Sequence, residues 1–91
     1  MRVRWTTVAA DDLAHIVDYI RKDNPAAARR VAQTIYQGVS RLRRFPNMGR
    51  VGLAENTREL VLSPWPYIAV YELIAGQIQV LRIRHAAQDW P

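Results

Sequence analysis

Between two helical apolar stripes the chain has room for only one short break, Asp23-Asn24-Pro25. On its N-terminal side Leu13, Ile16, Val17 and Ile20 recur at i, i+3, i+4 and i+7, the spacing of one helix face. On its C-terminal side Ala28, Val31, Ala32, Ile35, Val39 and Leu42 mark a second stripe. Asn24 suits the N-cap of the second helix and Pro25 its first position, where a missing N–H costs nothing. So short a connection makes the two helices neighbours in an antiparallel hairpin. The first is predicted from about Thr7 to Arg21, capped by Thr6 or Thr7, with Asp11 and Asp12 near the positive end of its dipole. Pro46 ends the second. Gly38, inside it, costs up to about 1 kcal/mol against alanine and suits close helix packing.

The remainder reads as sheet. Arg2-Val3-Arg4-Trp5 alternates and is short, so it is a first strand. Residues 45–56 hold Pro46, Asn47, Gly49 and Gly52 and read as loop. Thr57 to Leu62 is a strand, and Ser63-Pro64-Trp65-Pro66 a connector, since two prolines remove two ladder donors. Tyr67 to Ile74, the Ala75-Gly76 turn and Gln77 to Arg84 form a hairpin. The order is β-α-α-β-β-β. The expected fold is α+β, a helical hairpin packed on a mainly antiparallel four-stranded sheet. Ninety-one residues allow one core, so residues 1–91 are expected to be a single domain.

Composition excludes several chemistries. There is no cysteine, hence no disulfide, no thiol nucleophile and no Cys-ligated zinc. Two histidines, His15 and His85, leave little for a metal site, and no metal or cofactor is expected. No apolar run approaches a membrane span, and the start Met1-Arg2-Val3-Arg4-Trp5 lacks a signal-peptide core, so the expectation is a soluble cytoplasmic protein with no membrane partner. The net charge of +5 is unevenly placed. Residues 1–45 carry nine basic and four acidic groups; residues 46–91 carry four of each. A basic small domain points to nucleic acid or an acidic protein partner, or to no more than a solvated helix surface.

Alternation predicts that Ile78, Val80, Arg82 and Arg84 share one face of the last strand, and Gln79, Leu81, Ile83 and His85 the other. Arg58, Arg82 and Arg84 are the strand arginines, able to hold phosphates or carboxylates with their rigid forks of donors, or to lie separately over apolar surface. Glu59 alternates away from Arg58 and reads as a structural or surface group. His85 ends the last strand and is a candidate for proton transfer, though a hydrogen-bonded structural role is the favoured reading. Trp65, Tyr67 and Trp90 are aromatics of the kind that lid a thin core or anchor an interface. No phosphate-binding glycine loop or nucleophile elbow is present.

Four stretches resemble the RelE/ParE superfamily of toxins from type II toxin–antitoxin modules. They are Trp5-Thr6-Thr7 through Asp12-Leu13 with Ile16 and Tyr19-Ile20; Asp23 to Ala28; Leu42 with Phe45-Pro46 and Gly49-Arg50; and Arg58-Glu59-Leu60-Val61 with Tyr67-Ile68 and Tyr71. The ending Arg82 to Pro91 resembles the ParE branch. The resemblance implies a growth-inhibiting toxin, neutralised by a cognate antitoxin with which it forms a hetero-oligomer. The ParE branch implies binding and poisoning of DNA gyrase; the RelE branch implies ribosome-dependent cleavage of mRNA.

The departures favour ParE. RelE-like nucleases carry Arg after the tyrosine opening the third strand, and Ile68 stands there. They carry two basic residues, one apart, in the second strand; Arg58 matches the first, but Leu60 stands at the second. Gln88 stands where RelE has an Arg beyond the last strand, and no tyrosine follows Tyr71. A reduced nuclease site would consist of Arg58, Arg82 and His85. As a binder, the chain is expected to contact target or antitoxin through Arg58, Tyr67, Tyr71, Arg82, Arg84 and Trp90.

Overall fold

A computed structural model describes residues 1–87. It runs β1 (Arg2–Trp5), α1 (Thr7–Arg21), α2 (Pro25–Ser40), a 3₁₀ turn (Arg41–Arg43), β2 (Arg50–Val51), β3 (Thr57–Val61), β4 (Tyr67–Ile74) and β5 (Gln77–His85). The α+β architecture is the expected one. The sheet has five strands rather than four, in the order β1-β5-β4-β3-β2. The extra strand, β2, lies in the segment read as loop. Two residues among prolines and glycines carry no periodicity, and their pairing with β3 is set by Arg50↔Glu59 and Val51↔Arg58. All pairings are antiparallel except β1 with β5.

Both helix starts follow from their caps. Thr6 accepts the Ala9 N–H and Asn24 the Ala27 N–H, each at 3.0 Å. Such a cap contributes about 1 kcal/mol. The first turn of α1 contains no acid, so Asp11 and Asp12 do not serve its dipole as expected. The turn between β4 and β5 has positive φ at both Ala75 and Gly76, as a two-residue hairpin requires. Ala75, at φ 50°, holds a conformation that costs an L-residue about 1–2 kcal/mol.

The hairpin packs its stripes on one face of the sheet. Val31, Ile35, Val39 and Leu42 from the second stripe meet Ala69 and Tyr71 of β4, Ile78, Val80 and Ile83 of β5, and Leu60 and Leu62 around the end of β3. Leu13, Ile16 and Ile20 of α1 pack half-buried against this cluster, as do Val3, Trp5 and Trp65. The Trp65 indole N–H donates to Thr34 Oγ1 at 3.3 Å and ties the connector to α2.

Gly38 serves a close approach, but to the sheet side and not to α1. A methyl group there would lie 2.7 Å from Leu62 Cδ2, which is buried. An exposed helical Gly→Ala change gains about 1 kcal/mol from propensity. Here overpacking, at about 1–3 kcal/mol, opposes it. Gly38→Ala is therefore expected to lower stability by about 1 kcal/mol, read as a fall in the urea midpoint.

Candidate functional site

The expected convergence of Arg58, Arg82 and Arg84 depends on strand parity, and parity fails at one residue. In the β4–β5 ladder Tyr71 pairs with Val80 and Val70 with Arg82, so Leu81 has no partner. This β-bulge shifts the alternation by one. Upstream, Ile78 and Val80 face the core; downstream, Ile83 does. Arg82 and Arg84 therefore do not share a face with Ile78 and Val80, as simple alternation gave. They stand on the opposite face, beside Val70 and Ile68. Arg58 pairs with Tyr71 and lies on the helix-covered side. The sheet separates it from Arg82 and Arg84.

Among the described residues the candidate arginines and Tyr71 have structural occupations. Arg58 Nη1 donates to the Gly49 carbonyl at 2.8 Å and the Asn47 carbonyl at 3.3 Å. The Tyr71 hydroxyl accepts the Gly49 N–H at 3.0 Å and donates to the Pro46 carbonyl at 2.7 Å. Together they fold residues 46–49 against the sheet and deliver Arg50 to β2. Tyr71 is fully buried and has no surface to offer a partner. Burial pushes its phenol up, only partly offset by the Gly49 N–H and the charge of Arg58. Burial likewise raises the phenol of half-buried Tyr67, followed by the effect of Tyr19.

Arg82 grips Asp12 through two donors, Nε to Oδ2 at 2.8 Å and Nη2 to Oδ1 at 3.1 Å. Asp12 Oδ2 also accepts the Ile83 N–H at 3.0 Å. The reason lies in strand lengths. β1 has four residues and β5 nine, so β1 stops at Trp5↔Val80. Beyond that point the free edge of β5 needs other partners. The N-terminal part of α1 provides them: Thr6 Oγ1 donates to the Leu81 carbonyl at 3.2 Å, and Asp12 takes the Ile83 amide. The hydrogen bond to Asp12 fixes the charge on Arg82 more firmly.

Arg84 is buried beside Glu59, with Nη2 3.3 Å from Oε1, and both side chains are 7% exposed. Arg50 reaches the same oxygen with Nε at 3.2 Å and Nη2 at 3.0 Å. Burial raises the Glu59 carboxyl. The Arg50 hydrogen bond, the charge of Arg84 and the Leu53 backbone outweigh it and hold the group below the ordinary glutamate value. His85, at the strand end, accepts the Ala87 N–H at Nδ1, 3.0 Å, and packs edge-on to Tyr67 with ring centroids 5.5 Å apart. Trp90, Gln88 and Asp89 lie outside the described residues. His15 is exposed on α1.

Two surfaces that residue-type reasoning passed over are apolar and open. One is a groove of about 340 Å³ on the helical hairpin, lined by Leu13, Ala32, Gln33, Tyr36 and Gln37. The other flanks β2, where Phe45, Met48, Val51 and Leu53 are all exposed, Val51 and Leu53 by about four-fifths. Exposed apolar groups gathered in this way mark protein–protein contact. Asp12 was the other omission; its signal, a helix acid facing the edge of a strand that outruns its neighbour, is absent from the local sequence. Among the described residues no helix is long and apolar enough to cross a membrane, and no cluster of three or more metal-ligating residues occurs.

Comparison with known proteins agrees with this architecture. Residues 3–90 match the family model described as the ParE toxin of the type II toxin–antitoxin system parDE. The chain is 44% identical over 90 residues to the Y4kP protein of Sinorhizobium fredii, which bears the name of a toxin, covering 99% of this chain and 93% of that one. It is 40% identical over 87 residues to toxin RelE2 of Caulobacter vibrioides, covering 96% and 97%. A chain of the chromosomal ParDE system from P. aeruginosa superposes with a TM-score of 0.87 at 33% identity, over 93% of this chain and 95% of that chain. With a family model spanning nearly its whole length, and with relatives named as toxins, the chain belongs to the ParE toxin family of type II toxin–antitoxin systems.

Proposed function

We propose that this toxin acts by binding, with DNA gyrase as its target, and performs no chemistry of its own. The observation that supports this reading is the dispersal of the reduced nuclease triad. Arg58 lies on the opposite face of the sheet from Arg82, it is spent on the Asn47 and Gly49 carbonyls, and Arg82 is held by Asp12. Phosphoryl transfer needs basic groups aimed together at one phosphate. A binder needs exposed surface, which the β2 patch provides. Tyr67, Arg82 and Trp90 remain the contact residues proposed from the sequence.

A toxin of such a module has a cognate antitoxin as its partner. The proposed seat is the hairpin groove, filled by the apolar face of an amphipathic acidic segment. Such a complex should associate more slowly as salt rises, with little change in dissociation, because long-range attraction to the +5 toxin is screened.

Ribosome-dependent mRNA cleavage is the second reading, and the relative named RelE2 speaks for it. The deciding experiment compares purified toxin on gyrase with relaxed plasmid and ATP against ribosomes carrying mRNA. The binding reading expects trapped gyrase–DNA cleavage complexes, SOS induction in cells, and toxicity preserved in His85→Gln. Codon-phased mRNA cuts without SOS induction, lost by about 10²–10⁴ in rate in His85→Gln, would sink it.

A further inference from the structure

A further cleft lies away from the groups discussed so far, along the free edge of β1. It has a volume of about 580 Å³ and is lined by Met1, Arg2, Val3, Arg4 and Arg43. We infer that this cleft binds the phosphodiester backbone of a nucleic acid. Strand alternation turns Arg2 and Arg4 to the same side, about 6.6 Å apart along β1. Arg43 enters from the 3₁₀ turn, flanked by exposed Arg41 and Arg44. No acid lines the cleft.

These arginines differ from the paired ones in state and from the other exposed ones in place, since β1 and the 3₁₀ turn bring three of them to one cleft. Arg21 pairs with Asp18, Arg82 with Asp12, and Arg50 and Arg84 with Glu59. Among the described residues Arg2, Arg4 and Arg43 have no ion pair, and all three are exposed. Three like charges held in one cleft repel one another, and an anionic ligand relieves that repulsion. The lining also tells against an acidic peptide. Val3 and Met1 are its only apolar members, too little to seat anchoring side chains, whereas a phosphate backbone asks for charge and donors alone. The ligand is independent of which enzyme or particle the toxin inhibits.

The test is fluorescence anisotropy with purified toxin and three labelled probes: a duplex DNA, a single-stranded RNA and a polyglutamate of matched charge. The wild type is expected to bind at least one nucleic acid at low salt, more tightly than polyglutamate, and the two nucleic-acid probes identify the source of the phosphates. The triple variant Arg2→Gln, Arg4→Gln, Arg43→Gln should bind about tenfold or more weakly, and its salt slope on DNA should be shallower by about 3. Thermal unfolding checks that the variant is folded. The single change Arg43→Gln, expected to reduce the slope by about 1, serves if the triple variant does not fold. No binding to either nucleic acid, unchanged affinity and slope in folded variants, or a preference for polyglutamate would overturn the inference. Loss of the cleft's binding would leave the gyrase reading standing, because that rests on trapped cleavage complexes.

Discussion

Replacing Glu59 with alanine is expected to destabilise the toxin by about 3 kcal/mol, since removing one partner of a buried ion pair leaves the other charge without compensation. The carboxylate sits between Arg50 and Arg84, and the Arg84 side chain is as deeply buried as its own. Arg50 is mostly exposed, so its share of the interaction is the smaller in water. The pair also carries a pH signature. The folded state holds this carboxyl below its ordinary value, near 4.3 for a free glutamate. A depressed acid contributes stability that is complete above the unfolded value and drains away as pH falls through the folded one. The wild type should therefore lose stability below about pH 4.3, and Glu59→Gln should start lower at neutral pH and follow a shallower acid limb. Urea midpoints at pH 7, 4 and 3 measure both. A variant with wild-type stability at neutral pH would show the pair to be dispensable.

The second large effect is expected at Tyr71. Tyr71→Ala removes a fully buried aromatic ring and should cost about 3–5 kcal/mol. Tyr71→Phe isolates the hydroxyl. It orphans the buried Gly49 N–H and one bond to the Pro46 carbonyl, for about 1–3 kcal/mol. The two variants should differ in kind. The phenylalanine variant keeps the core but loosens residues 46–49, so fast amide exchange should spread from Gly49 into β2 while α2 stays protected. Exchange quickening uniformly across the fold would show that the hydroxyl supports the whole domain and not one loop.

Much of this architecture is legible in the residues themselves. Two stripes broken by Asp23-Asn24-Pro25 define the helical hairpin, and Ala75-Gly76 between β-rich runs defines the last turn. These are local signals, set by capping chemistry and by side-chain period. The site is less legible because its geometry comes from pairing between distant segments. Asp12 reads as a dipole residue until one sees that β1 stops at Trp5 and leaves the Ile83 amide uncovered. Arg58 and Arg82 read as one site because both are strand arginines. Which face each takes depends on a ladder that no window of one strand contains. β2 escapes for a related reason, since two residues are too few to show alternation. The role of Glu59 is half visible: strand alternation sets it on the other face from Arg58, but nothing local points to Arg50 and Arg84 as its partners.

The unpaired Leu81 has a consequence for how this toxin tolerates change. It works as a frameshift written into the strand: side chains after it are read in the other phase. Deleting Leu81 would close the bulge into a regular ladder, with Val80 inward, Arg82 outward and Ile83 inward, and so keep the downstream side chains on their present faces. Length changes elsewhere in β5, where no bulge takes up the difference, therefore act as multiple core substitutions, whereas the loop around Leu53 and Glu55 can lengthen with little effect on the core. Sequences of relatives aligned by similarity alone, with a gap placed one position astray here, would assign surface residues to the interior and interior residues to the surface.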